Sequence, residues 1–373
     1  MTHRERFMAV LRGELPDRLP FVPRYELWYR AHSTQGTLPP KYAGKSREDV
    51  YAMLESGQPG REARIYKKEY GVEIKVDNQP RTMRRTYVTP FGEVDELFNV
   101  DREARERGGP LGGGKAECMV KGPDDFEKAA YVINSAKFIP LYDDYIAYQA
   151  KMGDEGEATC SSEYDPFYQL MQDLVGLSNI WYIWSDYKEE VEKLYDVILQ
   201  KQIKEMIPVI TASPANFVTY GRHYDSMMTP RPIFEQYMKP ALKIVSGALH
   251  DAGKLHAIHA DADSKELLEL YMESGVDIME CYCAYPMSSI TMEETLERVG
   301  DKMVVWGGIP STLVVPSAYD QQYFLDFVDN FFKVLERYKG KSRVVVGIAD
   351  NVVPGADMER VEIIAERCAN FKF

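Results

Sequence analysis

Two side chains separated by one residue on a β-strand leave it on the same face, because side chains alternate with a period of two. His259 and Asp261 have this spacing in the run His256-Ala257-Ile258-His259-Ala260-Asp261. An imidazole nitrogen and a carboxylate oxygen on one face can chelate a divalent cation. Glu280 on the next apolar segment and Asp350 after the last could close the shell. A plainer reading stands beside this one, in which His259 is a hydrogen-bonded core histidine and Asp261 caps the following helix. His256 lies an odd number of positions from His259, points to the other face and reads as structural. Cys281 and Cys283 also share a face. If Glu280 points inward, both thiols face the surrounding helices and read as buried, inert cysteines.

Such residues act together only if the fold gathers them. From residue 157 onward the sequence alternates apolar runs with long amphipathic stretches. Strands are expected at 158–162, 216–220, 255–260, 276–281, 303–308 and 343–349. Helices are expected at 188–206, 232–250, 264–274 and 323–338. Several of the apolar runs are uniform, as in a parallel sheet buried on both faces, and the alternation implies βαβ units. An earlier run at 19–26 brings the strand count to seven. The pattern therefore predicts a (β/α)8 TIM barrel, with an eighth strand hidden or distorted near 180–184. In such barrels the chemistry sits where strands end. Here those ends are Arg24-Tyr25-Glu26, Ser161-Ser162-Glu163-Tyr164-Asp165, Tyr220-Gly221-Arg222-His223-Tyr224-Asp225, Glu280-Cys281-Tyr282-Cys283, Trp306-Gly307-Gly308 and Asp350-Asn351. Residues 1–154 are less regular, with an amphipathic helix at 4–11, a hairpin over 70–98 turning at Thr89-Pro90-Phe91-Gly92, and a charged, glycine-rich loop at 101–115. The whole of 1–373 reads as one domain, of which 155–373 is the regular part.

Composition narrows the class. The 373 residues carry a formal charge of −13, with 45% hydrophobic and 28% charged residues, which is globular and acidic. No basic face suits a nucleic-acid backbone, and no apolar run is long enough for a membrane span. The opening residues lead into a charged helix rather than a secretory signal. Five scattered cysteines point to a reducing compartment, with thiols free or metal-bound, so a cytoplasmic enzyme is expected. Gly109-Pro110-Leu111-Gly112-Gly113-Gly114-Lys115-Ala116 matches a phosphate-binding loop except for its last residue. It lacks the Ser/Thr that would hold magnesium and follows no apolar strand, so it reads as a loop.

Dispersed motifs add a resemblance. His3-Arg4-Glu5-Arg6-Phe7, Leu11-Arg12-Gly13 and Pro16-Asp17-Arg18-Leu19-Pro20 open the chain. Thr89-Pro90-Phe91-Gly92, Thr229-Pro230 with Phe234 and Pro240, Trp306-Gly307-Gly308-Ile309-Pro310-Ser311, and Gly347 through Pro354-Gly355 to Arg360 follow. Together they resemble the uroporphyrinogen decarboxylase superfamily over nearly the whole chain. That superfamily holds porphyrinogen decarboxylases and corrinoid-dependent methyltransferases. The decarboxylases carry an Arg-Gln-Ala-Gly-Arg-Tyr-like segment after the first strand. Arg24-Tyr25-Glu26-Leu27-Trp28-Tyr29-Arg30 departs from it, and decarboxylation is not expected. The methyltransferases bind zinc through a His-x-Cys pair and a cysteine after the last strand. His259 matches the histidine, while Asp261 and Asp350 stand at the cysteine positions.

The resemblance thus implies a zinc site at His259, Asp261 and Asp350 with oxygen in place of sulfur. Harder, more Lewis-acidic metal suits an oxygen leaving group, so the expected reaction is demethylation of a small methoxylated compound, the methyl passing to cobalt. Glu280, Glu163 and His223 are the candidate catalytic acid–base residues, a glutamate of raised pKa protonating the leaving oxygen. Glu26, Trp28, Tyr164, Tyr220, Arg222, Tyr282 and Trp306 are the candidate substrate-binding residues. Arg222 and His223 pair either with a substrate carboxylate or with Asp225. The corrinoid is expected on a separate partner protein docked over the βα loops, because no Asp-x-His-x-x-Gly cobalamin motif occurs here. A tetrapyrrole lyase and a non-catalytic binding subunit of the same fold are the competing expectations, and a dimer is left open.

Overall fold

The computed structural model describes residues 1–101 and 114–373. The phosphate-loop-like run at 109–116 and the loop at 101–115 therefore lie mostly outside the described residues. Strands fall at β1 (Tyr66–Tyr70), β2 (Glu73–Asn78), β3 (Thr82–Thr89), β4 (Gly92–Asn99), β5 (Lys115–Glu117) and β6 (Ala136–Pro140). They continue with β7 (Cys160–Ser161), β8 (Phe217–Arg222), β9 (Leu255–His259), β10 (Ile278–Tyr282), β11 (Val304–Pro310) and β12 (Arg343–Ala349). The expected hairpin is present: β3 and β4 pair antiparallel with Thr89 opposite Gly92, inside a four-stranded sheet of order β2-β3-β4-β5. β1 and β6 form a separate antiparallel pair.

The second half is a six-stranded parallel sheet in the order β12-β11-β10-β9-β8-β7, so each strand neighbours the next in sequence. Helices connect the strands, as βαβ units require. Residues of β10 and β11 are buried throughout, which accounts for their unbroken apolar runs. The helices expected at 188–206 and 232–250 are both present, each carrying a wider-pitched turn, at Gln202–Met206 and Phe234–Met238.

Two of the expected strands need correction. Residues 180–184 are not a hidden strand but part of the helix Ile180–Asp186. The run at 19–26 is extended but not a full strand: Phe21 makes a single parallel bridge to Val346, and Glu26 opens the helix Glu26–Gln35. A hydrogen-bonded circuit nevertheless links the two outer strands. The Val22 N–H donates to Val346, and the Val346 N–H to Pro20. Next the Gly57 N–H donates to Phe21, the Gln58 N–H to Glu155, and the Thr159 N–H to Gly60, just before β7. The short segment at 57–60, with two glycines and Pro59, carries no periodicity from which a strand could be read.

Candidate functional site

The ends of β8, β9, β10 and β12 deliver one cluster of polar side chains. His259 ends β9, and Glu280 stands opposite it in register on β10. Glu280 accepts a hydrogen bond from His259 Nδ1, which leaves Nε2 to face the rest of the cluster. That Nε2 lies 3.4 Å from Asp261 Oδ2 and 3.5 Å from Asp350 Oδ1. The other Asp261 oxygen is 2.6 Å from His223 Nδ1. The His223 ring sits edge-on to His259 at 4.9 Å between centroids. The fold therefore brings His223, His259, Asp261, Glu280 and Asp350 into one place, as the spacing and chain order predict.

Three members were not among the candidate site residues of the sequence. Arg24 pairs with Asp350, and Arg61, which follows the 57–60 segment, pairs with Glu280. The third is Cys281. Strict alternation turns its thiol toward the helices, but β10 bulges between Glu280 and Tyr282, and Cys281 takes a left-handed φ of 57°. A bulge inserts one extra residue and re-aims a side chain. Cys281 Sγ consequently lies 3.0 Å from Glu280 Oε1, 3.6 Å from the Asp350 carbonyl, and 3.7 and 3.9 Å from the Arg24 and Arg61 guanidinium groups. Gly307 makes this possible: a Cβ there would fall 2.4 Å from the Tyr282 carbonyl oxygen. The expectation that the Cys281 thiol faces the surrounding helices is thus overturned; that it is buried holds. The Trp-Gly-Gly run and the Cys-Tyr-Cys run are the two halves of one backbone feature. β8 bulges likewise between Thr219 and Arg222, and His223 has a φ of 57°.

Charge in the cluster follows from its partners. Burial alone would push the Glu280 carboxyl up, but Arg61 and then His259 outweigh it and hold the group well below the usual range. Glu280 is therefore an anion, not the raised-pKa acid that the sequence reading makes of it. Burial disfavours a charged His259, yet Glu280 reverses this and holds the imidazole well above its ordinary value. Asp261 is held below the carboxylate range by hydrogen bonds from His223 and His259, against the opposing effect of burial. Burial and then Glu280 push the Cys281 thiol up to about 12.

Among the described residues, two trios place one donor atom each within 4.8 Å of one another: His223 with His259 and Asp261, and His259 with Cys281 and Asp350. The trio expected from sequence, His259 with Asp261 and Asp350, is divided between them, because Asp261 turns toward His223. An imidazole nitrogen, a thiol sulfur and carboxylate oxygens form a donor set that suits zinc.

The remaining candidates separate into a nearby group and a structural one. Glu163 is bound by Lys68 Nζ at 2.5 Å and Tyr66 Oη at 3.1 Å, so it is paired with a cation. The Arg222 guanidinium lies 4.8 Å over the Tyr164 ring. Asp225 instead accepts bonds from the Met227 and Asp263 N–H groups, so it is not the partner of Arg222. Glu26 lies beside Arg24, Oε2 3.9 Å from Nε, and that buried oxygen makes no hydrogen bond among the described residues. Four aromatic residues expected at the mouth are core. Trp28 is buried against Tyr42. Tyr220 is buried and donates to Gln202 Oε1 at 2.7 Å. Tyr282 bonds Thr295 at 2.5 Å on the helix side. Trp306 donates to the Val22 carbonyl at 3.0 Å and packs on Phe7. Tyr220 lies on the alternate face of its strand, the β10 bulge turns Tyr282 to the helix side, and Trp306, in register with Glu280, is taken up by the apolar cluster around Phe7. His256 is structural as expected, bonded to Ser246 and the Tyr220 carbonyl.

No family model matches the chain, and no curated protein matches it by sequence. Its fold is similar to that of a solved structure, the methyltransferase from Methanosarcina mazei. The TM-score is 0.54 over 99% of this chain and 98% of that one, at 13% sequence identity. At this identity the likeness is one of fold. No helix among the described residues is long and apolar enough to cross a membrane.

Proposed function

We propose that the protein is a corrinoid-dependent methyltransferase of the uroporphyrinogen-decarboxylase-like kind. It takes the methyl group of a small methoxylated compound and passes it to the corrinoid of a partner protein. Its architecture on this reading is a closed (β/α)8 barrel forming one domain. The circuit through 20–22, 57–60 and 155–159 supports this, since with β7 to β12 it supplies eight staves. The observation that carries the function is the convergence of His259, Asp350, Asp261 and Cys281 at the ends of successive parallel strands, where barrel enzymes build their sites.

A divalent ion, zinc on this reading, would be held by His259 Nε2 and Asp350, and when bound it supplies Lewis acidity toward a leaving oxygen. The chain's own groups do the rest. Glu280 fixes the His259 ring through Nδ1, the usual outer-shell arrangement around a metal-binding histidine. Arg61 and Arg24 hold Glu280 and Asp350 in place. The half-exposed His223, paired with Asp261, is placed to carry a proton to or from the departing alkoxide or phenoxide. Arg222 over Tyr164 offers a cation and a ring face to the substrate. Met227, Met228, Tyr285 and Met287 stand exposed on the loops after β8 and β10 and form an apolar rim for the corrinoid partner.

The test combines two measurements. Elemental analysis of purified protein is expected to find stoichiometric zinc that His259→Ala and Asp350→Ala both lose. Incubation with Co(I) cobalamin and a panel of methoxylated compounds is expected to give the methylcobalamin spectrum. Metal-free wild-type protein that forms no methylcobalamin with any of them overturns the proposal.

A further inference from the structure

We infer that Cys281 is a metal ligand, so that the ion is bound through His259 Nε2, Cys281 Sγ and Asp350 Oδ, with Asp261 left to its partner His223. The inference rests on the metal-bearing reading above and changes its ligand set. Three observations carry it. First, the donor atoms of His259, Cys281 and Asp350 lie within 4.8 Å of one another, whereas Asp261 groups with His259 and His223 and spends its other oxygen on the His223 ring at 2.6 Å. Second, the thiol reaches the site only because β10 spends a bulge and a left-handed residue on it. A non-glycine residue with positive φ is uncommon, and such conformations cluster at ligand sites. A merely space-filling cysteine needs neither. Third, Sγ is aimed into the polar cluster, 3.7 and 3.9 Å from the Arg24 and Arg61 guanidinium groups, whose charge would offset that of a metal-bound sulfur. Cys160 and Cys283 face single carbonyls instead, Cys160 that of Phe217 and Cys283 that of Ala284.

On binding, a sulfur–metal bond forms as the S–H bond breaks, and the proton leaves to solvent, since a coordinating thiol is deprotonated outright. The site then offers one nitrogen, one sulfur and one oxygen. That is three protein ligands with a position left open, the pattern of catalytic rather than structural zinc. The two missing thiolates of the sequence pattern are in this way partly replaced, from a different strand.

Cobalt(II) substitution reads the sulfur directly. Wild-type protein loaded with Co(II) is expected to show the near-ultraviolet sulfur-to-cobalt charge-transfer band. Cys281→Ser is expected to lose that band while visible cobalt absorption persists; Cys283→Ser and Asp261→Asn are expected to keep it. Should Cys281→Ser fail to fold, X-ray absorption of the wild-type zinc protein decides, with one sulfur expected at about 2.3 Å. Bound cobalt with no such band, a band that survives Cys281→Ser, or a zinc shell of nitrogen and oxygen alone overturns the inference and leaves the metal reading standing. Wild-type protein that binds neither cobalt nor zinc overturns both.

Discussion

Within the first three residues of five parallel strands, Phe217, Ala257, Ile278, Val304 and Val345 pack with Phe7, Val10 and Leu11 of the opening helix and with Trp306. At the other ends of the same strands stand His223, His259, Glu280, Cys281 and, just past β12, Asp350. One end is apolar, and its one indole N–H is satisfied by the Val22 carbonyl. The other gathers two arginines, three carboxylates, two histidines and a thiol, with two bulged strands and two left-handed residues. Local rules hold where the fold is only being stabilised and are broken where it presents chemistry.

The largest effect is expected at the apolar end. Trp306→Ala removes the ring that packs on Phe7 and should cost about 3–5 kcal/mol in urea unfolding, with zinc per folded molecule unchanged. Loss of metal from protein that remains folded would show that the two ends are not independent.

Two histidines of β9 extend the contrast. His256 is fully buried, and burial lowers its pKa to about 4, whereas its neighbour three residues on is driven the opposite way by Glu280. A lowered folded-state value means that the unfolded chain takes up the proton first. The stability His256 contributes is therefore present above pH 6.5 and is lost as pH falls toward about 4, a swing of about 3 kcal/mol. His256→Gln should flatten that part of the unfolding profile; an unchanged slope would assign it to other groups. At the polar end, Glu280→Gln keeps the shape but removes the charge shared by Arg61 and His259. It should cost about 2 kcal/mol and move the His259 titration, followed by NMR, to lower pH. An unmoved His259 would mean that Glu280 does not set its charge.

The same division explains how much could be read from the sequence. Period-two alternation and helical spacing locate β8 to β12 to within a few residues, because both faces of those strands are buried and their apolar runs are unbroken. His259, Asp261, Glu280 and Asp350 were legible because ionisable residues at strand ends have few other reasons to be there. Alternation failed at Cys281 and hid Arg61. A bulge shifts every side chain beyond it by one face, and nothing local to Cys281-Tyr282-Cys283 announces one. The only signal lay on the next strand, in Gly307, whose missing Cβ makes room for the Tyr282 backbone. Arg61 follows a segment too short and too rich in glycine and proline to show a period. The aromatic candidates failed for related reasons: Tyr220 belongs to the alternate face of its own strand, and the same β10 bulge turns Tyr282 from the face of Glu280 to the helices.

The smallest expected change in stability is also the sharpest test of the comparison. His223 is 39% exposed at its side chain, bonds Asp261 through its ring, and holds a φ of 57° that asparagine adopts more readily than histidine. His223→Asn therefore relieves the backbone while removing the imidazole. Urea unfolding should shift by no more than about 0.5 kcal/mol in either direction. Methyl transfer to cobalamin should nevertheless fall by about 100-fold, the usual scale for a lost acid–base group. A variant that is clearly destabilised would make His223 part of the scaffold. One that is stable and fully active would confine the chemistry to His259, Cys281 and Asp350. Loss of activity at constant stability is what a left-handed residue kept for chemistry alone should give.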